Sequence, residues 1–239
     1  MTAEVVFLLD VDNTLLDNDR IILDLRGHLE REFGVASANR YWAIFEELRT
    51  ELGYADYLGA LQRYRGDTEI AGGPDAQRLL LMSRFLIDYP FAERLYAGAL
   101  AAIAHLARFG PTVILSDGDV VFQPLKVRRS GLWDAVDGRV LIYVHKERML
   151  DRVERLHPAR HYVMVDDKLR ILAAMKATWR ERLTTVFPRQ GHYAFDPAAI
   201  AKYPAADVAV EHIGDLADFD VAKLLAAPDG AGLALKERT

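Results

Sequence analysis

Residues 4–10 carry an unbroken apolar run, Val5 through Leu9, that stops at Asp10. Apolar residues without alternation predict a short strand covered on both faces, as in a parallel sheet. From about Ile21 to Asp88 the spacing changes to the period of amphipathic helices. "ILDLRGHLEREFG" predicts a helix stopped by Gly34, and "NRYWAIFEELRTELG" one that starts behind an asparagine cap and stops at Gly53. "ADYLGALQRYRG" and "PDAQRLLLMSRFLIDYP" predict two more, the last closed by Pro90. No strand-like run interrupts these roughly seventy residues, which are too many for an ordinary crossover. They read as a helical insertion.

Beyond it helix and strand take turns. "AGALAAIAHLARFG" predicts a helix and "PTVILSDG" a strand; the helix "VVFQPLKVRRSG" and the strand "GRVLIYV" follow. Then come the helix "KERMLDRVERLH", the strand "HYVMVDDK", the helix "LRILAAMKATW", the strand "LTTVFP", a short strand "DVAV" and a helix near Ile213–Ala226. This rhythm predicts an α/β protein with a doubly wound parallel sheet and right-handed crossovers. The core then comprises residues 1–18 and 92–239, with residues 19–91 inserted. The tail "APDGAGLALKERT" reads as loose.

Composition narrows the function classes. The apolar share is 51% and the net charge −5, so there is ample core material and no basic footprint for nucleic acid. The chain has no cysteine, which excludes disulfides, thiolate metal sites and cysteine nucleophiles. Its N-terminus lacks the pattern of a signal peptide, and no window has the apolar length of a membrane span. The expectation is a cytoplasmic, soluble protein, a monomer or a homodimer.

Ligands of open α/β sheets sit beyond the carboxyl ends of the strands. Three predicted strands end in polar groups there: Asp10 and Asp12 after the first, Ser116 in "LSDGD", and Asp166 and Asp167 in "VMVDD". Lys146 follows the "LIYV" strand. So many carboxylates in one crevice are costly unless a cation neutralises them. Oxygen ligands without histidine or cysteine point to Mg²⁺ rather than zinc. A calcium loop counted from Asp10 fails, because its sixth residue is Leu15 rather than glycine and its twelfth Ile21 rather than glutamate. Residues two apart on a continuing strand point the same way, so one carboxylate could attack a phosphorus while the other exchanges a proton with the leaving oxygen.

"DVDNT" at 10–14, "ILSDG" at 114–118, Lys146 and "VDD" at 165–167 resemble, in order, the four motifs of the haloacid dehalogenase (HAD) superfamily. The resemblance implies a Rossmann-like core and makes the insertion between the first two motifs a helical cap domain. By similarity Asp10 is the nucleophile that becomes a phosphoaspartate, and Asp12 protonates the leaving alkoxide and then activates water. Asp10, the backbone carbonyl of Asp12 and Asp167 would hold Mg²⁺, with Asp166 a further acidic ligand, direct or through water. Thr14 would steady the loop after the nucleophile on the phosphate-binding side. Ser116 and the amides of Asp117 and Gly118 would bind phosphoryl oxygens, helped by the start of the next helix. Lys146 would neutralise charge on Asp10 and the phosphoryl group, with Lys126 and Arg128 as alternatives. Relatives that cleave carbon–halide bonds lack an acid at the Asp12 position, so the resemblance implies a phosphatase acting on a small phosphorylated metabolite. The alternatives are a phosphomutase of the same superfamily and a non-catalytic phosphate-binding relative.

Other residues have plainer expectations. Asp17, Asn18 and Asp19 read as cap and turn residues, His145 and His192 as surface or loop residues, and Trp133 as packing. Of the aromatic and basic residues of the insertion, Trp42 and Phe45 read as its own core, while Tyr64 or Arg65 could reach substrate. The linkers near 16–20 and 89–97 are expected to act as hinges.

Overall fold

The computed structural model describes residues 2–67 and 76–226 and the two-residue strand at 233–234. Strand β1 (Ala3–Leu9) is followed by four helices, α1 (Asn18–Phe33), α2 (Val35–Leu52), α3 (Tyr57–Arg65) and α4 (Ala76–Asp88). Then come α5 (Ala99–Leu106), β2 (Thr112–Asp117), α6 (Phe122–Arg129), α7 (Leu132–Ala135), β3 (Val140–Tyr143), α8 (Leu150–Leu156) and β4 (Ala159–Val165). The chain closes with α9 (Leu169–Trp179), β5 (Leu183–Pro188), α10 (Gly191–Ala194), α11 (Pro197–Lys202), β6 (Val208–Val210), α12 (Val221–Leu225) and β7 (Leu233–Ala234).

The sheet runs β3-β2-β1-β4-β5-β6-β7, and every neighbouring pair is parallel. The apolar run of β1 explains its central place. Val5, Phe7 and Leu9 join the hydrophobic cluster on one face, and Val6 and Leu8 join that on the other. Both faces are therefore covered, as the absence of alternation requires. The chain leaves β1 and β4 in opposite directions, which opens a crevice at their carboxyl ends.

The four helices after β1 pack onto the core through aromatic contacts. The Tyr57 ring of α3 lies 5.2 Å from Phe122 of α6, which is itself 5.8 Å from Phe91. The two connections to this helical block pair with each other: the Asp17 amide donates to the Arg94 carbonyl (2.8 Å) and the Tyr96 amide to the Leu15 carbonyl (3.0 Å). Within the block His28 of α1 stacks on Phe85 of α4 at 4.1 Å.

Several elements differ from the sequence expectation. The second helix begins at Val35 rather than near Asn39, because Gly34, at φ 83°, ends α1 and starts α2 in a single residue. The predicted helix 146–157 is a 3-10 turn at Lys146–Arg148 followed by α8, since the backbone amide of Lys146 is drawn to the Asp117 carboxylate at 2.8 Å. The helix expected near Ile213–Ala226 is a 3-10 turn, Ile213–Ala217, and α12. Helices α7, α10 and α11 are too short to show a period and were not expected. The expected looseness of 227–239 lies outside the described residues, apart from strand β7. No described helix is long and apolar enough to cross a membrane.

Candidate active site

The register of three strands assembles the site. Leu9 of β1 lies level with Ile114 of β2 and Val165 of β4. From that line Asp10 and Asp12 follow β1, Ser116 and Asp117 end β2, and Asp166 and Asp167 follow β4. All these groups therefore emerge at one end of the sheet.

Asp10 is buried at the centre. The Lys146 ammonium is 2.5 Å from Asp10 Oδ1 and 2.6 Å from Asp166 Oδ2. Burial alone would lower the pKa of Lys146, but the charges of Asp10, Asp166 and Asp117 push it up. Ser116 Oγ donates to Asp10 Oδ1 at 3.3 Å. Thr14 Oγ1 donates to Asp10 Oδ2 at 3.4 Å and accepts from the Asp167 amide at 3.0 Å. Thr14 is fully buried and lies outside the cavity wall, so it ties two motif loops together rather than lining a ligand site.

Asp12 stands further out, with its side chain 23% exposed. Lys126 Nζ donates to Asp12 Oδ1 at 2.7 Å and to Asn18 Oδ1 at 3.1 Å. Gln123 Nε2 donates to Ser116 Oγ at 3.0 Å and to Asp12 Oδ2 at 3.4 Å. Gln123 links the two motif loops and was not anticipated. Its spacing from Lys126, three residues on α6, places both on one helix face, and that was the available signal.

The carboxylates of Asp10, Asp166 and Asp167 are all buried, and one oxygen of each lies within 4.8 Å of the others. Both oxygens of Asp167 are buried without a hydrogen-bond partner. Burial pushes the Asp167 carboxyl well up, the Lys168 ammonium counters it, and the charges of Asp166 and Asp10 add to the rise. Asp166 is likewise raised by burial, to about 6, with Lys146 opposing and Asp10 adding. A hard, oxygen-seeking divalent cation fits this donor set and would relieve the orphaned oxygens.

Two expected phosphate donors are already engaged. The Gly118 amide donates to the Tyr143 carbonyl at 2.9 Å, because the β2–β3 ladder continues past the end of β2. The start of α6 is capped by Asp119, whose Oδ1 accepts from the amides of Val121 (2.8 Å) and Phe122 (2.6 Å). Gly118 serves packing instead, since a Cβ there would meet Gln123 Cβ at 2.5 Å.

A cavity of about 440 Å³ lies between the strand ends and the helical block. Asp12, Asp117, Gly118, Lys126 and Lys168 form part of its core side. Trp42, Phe45, Tyr54 and Tyr57 face it from the block, so Trp42 and Phe45 are core and cavity wall at once. Tyr41 and Tyr64 are fully buried, and Arg63 pairs outward with Glu51; none of them lines the cavity, and neither does Arg65.

His192, expected as a plain loop residue, also lines it. Its Nδ1 lies 2.6 Å from Asp19 Oδ1, and Asn13 Nδ2 donates to the same oxygen at 2.9 Å. Asn13 adopts the left-handed φ of 60° that asparagine tolerates, and its Oδ1 accepts from the amides of Asn18 and Asp19. Asp17 caps α1 as expected, accepting from the Arg20 amide.

The family model described as haloacid dehalogenase-like hydrolase matches residues 5–178. Among solved structures, a haloacid dehalogenase-like hydrolase from Burkholderia xenovorans is 69% identical, with 91% of this chain and 99% of that one covered at a TM-score of 0.86. An L-2-haloacid dehalogenase from Xanthobacter autotrophicus is 22% identical over 91% of this chain and 97% of its own, with a TM-score of 0.56. A magnesium-bound HAD hydrolase from Bacillus subtilis is 18% identical over 90% and 97%, also at 0.56. The last two similarities speak to the fold alone. No curated protein matches the chain.

Proposed function

The chain belongs to the haloacid dehalogenase-like hydrolase family, and from that premise we propose that it is a Mg²⁺-dependent phosphatase acting on a small phosphate monoester. The observation that carries this reading is Asp12, an acid at the cavity wall two residues beyond Asp10 and oriented by Lys126 and Gln123. Displacing a halide leaves an anion that needs no proton. Displacing an alkoxide requires an acid, and Asp12 is the acid that this reading assigns.

In this mechanism Asp10 attacks phosphorus, the bond to the ester oxygen breaks, and Asp12 protonates the departing alkoxide. Asp12 then takes a proton from a water that attacks the phosphoaspartate, releasing phosphate and restoring Asp10. Lys146 and Ser116 hold the Asp10 carboxylate in place between these steps. Asp10, Asp166 and Asp167, with the carbonyl of Asp12, would hold Mg²⁺, which when bound supplies positive charge against the phosphoryl oxygens. The helical block acts as a cap. Asp10 is only 2% exposed and does not line the cavity, so the phosphoryl group gains access when the cap swings on its paired linkers.

The test is phosphate release from a panel of phosphorylated metabolites, with Mg²⁺ and with EDTA, for the wild type and Asp10→Asn, beside chloride release from 2-chloropropionate. Metal-dependent phosphate release that vanishes in the variant is the expected result. Undiminished release by Asp10→Asn, or chloride release by the wild type, would sink the proposal.

A further inference from the structure

The cavity is larger than a phosphoryl group requires, and its charges are unevenly neutralised. At the core end Asp12 is paired with Lys126. Lys168, over the Tyr193 ring at 5.2 Å, belongs electrostatically to the acid cluster: burial lowers its pKa, while Asp167, Asp10 and Asp166 push it up. At the cap end Glu46 and Arg49 neutralise each other at 2.8 Å. Arg26 is different. Its guanidinium stacks 5.2 Å from the Trp42 ring centre, and it forms no ion pair among the described residues. A stacked guanidinium keeps its forked donors in a fixed plane, suited to a carboxylate or phosphate.

A further donor in this wall has no acceptor: the Trp42 indole N–H is buried without a hydrogen-bond partner. Buried donors are ordinarily satisfied, so an orphan on a cavity-lining residue points to an acceptor that arrives with a ligand. The wall thus pairs a free cation with an orphan donor and the rings of Phe45 and Tyr54.

We propose that the ester hydrolysed at this site carries a second anionic group on its leaving side, and that Arg26 on the cap binds that group across the cavity from Asp12. The inference rests on the phosphatase reading and narrows its substrates to phosphomonoesters with a carboxylate or a second phosphoryl group. The body between the two charges packs against the aromatic wall. Arg26 is the specificity-determining residue, and it takes no part in proton transfer.

The experiment compares phenyl phosphate, 4-carboxyphenyl phosphate and 4-phosphonophenyl phosphate as substrates for the wild type, Arg26→Ala and Arg26→Lys, all with Mg²⁺. The wild type is expected to favour one or both acidic esters by about tenfold in kcat/KM, chiefly through KM. Which of the two is favoured identifies the second anion. Arg26→Ala brings the ratio close to one, and Arg26→Lys lies between because the charge remains without the planar fork. Each ratio is taken within one preparation, so damage to folding cancels. A wild-type ratio near one, or an unchanged ratio in Arg26→Ala, overturns the proposal while leaving the phosphatase intact. If no ester turns over, the phosphatase reading is what has failed. Calorimetric binding of 4-carboxyphenylphosphonate against phenylphosphonate then decides the subsite: tighter binding of the former, lost in Arg26→Ala, sustains it, and equal binding overturns it.

Discussion

The ammonium of Lys126 lies 2.7 Å from the carboxylate of Asp12, a residue 114 positions earlier in the chain. Both residues line the cavity, but the Lys126 side chain is only 1% exposed and that of Asp12 is 23% exposed. The contact therefore aims the more exposed carboxylate into the cavity, using a cation that is itself buried.

Lys126→Met removes that aim while leaving the first and fourth motifs intact. We expect kcat/KM for phosphate release to fall by about tenfold to a hundredfold, equivalent to about 1.4–2.7 kcal/mol in the barrier. Steady-state kinetics beside a thermal melt separate this from unfolding. Undiminished activity with an unchanged melt would show that Asp12 needs no partner.

Asp167→Asn should act in opposite directions with and without metal. In EDTA it removes a buried carboxylate with two orphan oxygens, so the variant should be more stable than the wild type by about 1 kcal/mol, a rise of about 2–4 °C in Tm. With Mg²⁺ the wild type gains stability by mass action, and the variant gains much less. Melts at several Mg²⁺ concentrations check both signs. A variant that melts lower in EDTA yet keeps the full Mg²⁺ response would remove Asp167 from the ligand set.

Gly191→Ala tests the junction of α10 with the loop after β1. Gly191 has φ 68°, and a Cβ there would meet Asn13 Cβ at 2.4 Å. Overpacking of this kind costs about 2 kcal/mol, read as a drop of about 4–8 °C in Tm for a chain of this size. An unaltered melt would mean that the loop shifts freely.

Acid should weaken the contact between α1 and α4 through His28. Burial lowers the His28 pKa in the folded state; Glu32 opposes the shift and the Arg31 charge adds to it. The unfolded chain therefore binds the proton more readily. Stability from the neutral ring is fully present above the ordinary histidine pKa of about 6.5 and is lost as pH falls below it. Asp166 acts in the reverse sense, because a raised carboxyl favours the folded state at low pH and loses that contribution as pH rises through about 6. The measurement is therefore differential. His28→Phe can still pack on Phe85, and its Tm relative to wild type should rise between pH 8 and pH 5.5. A flat difference would mean that His28 takes up its proton in place.

Much of the fold could be read from residue order because its causes are local. The doubly covered run Val5–Leu9, the glycine stops at Gly34 and Gly53 and the helix–strand rhythm after residue 97 depend on neighbours in sequence. The motif residues were legible for the same reason: parallel strands share an end, so groups at their carboxyl ends must meet.

Local pattern could not show what those groups do to one another. It could not place Gln123 between Ser116 and Asp12, or show that the Gly118 amide and the start of α6 were already occupied. Nor could it show His192 against Asp19 or Arg26 stacked on Trp42 in a shared wall. These contacts join residues on separate elements, or on separate turns of one, and their partners are set by how helices cross and where loops land. By itself, the amino-acid order determined which chemistry is present and at which end of the sheet it collects. The tertiary structure decided which donors remain free to meet a ligand, because whether a group is free depends on every element packed around it.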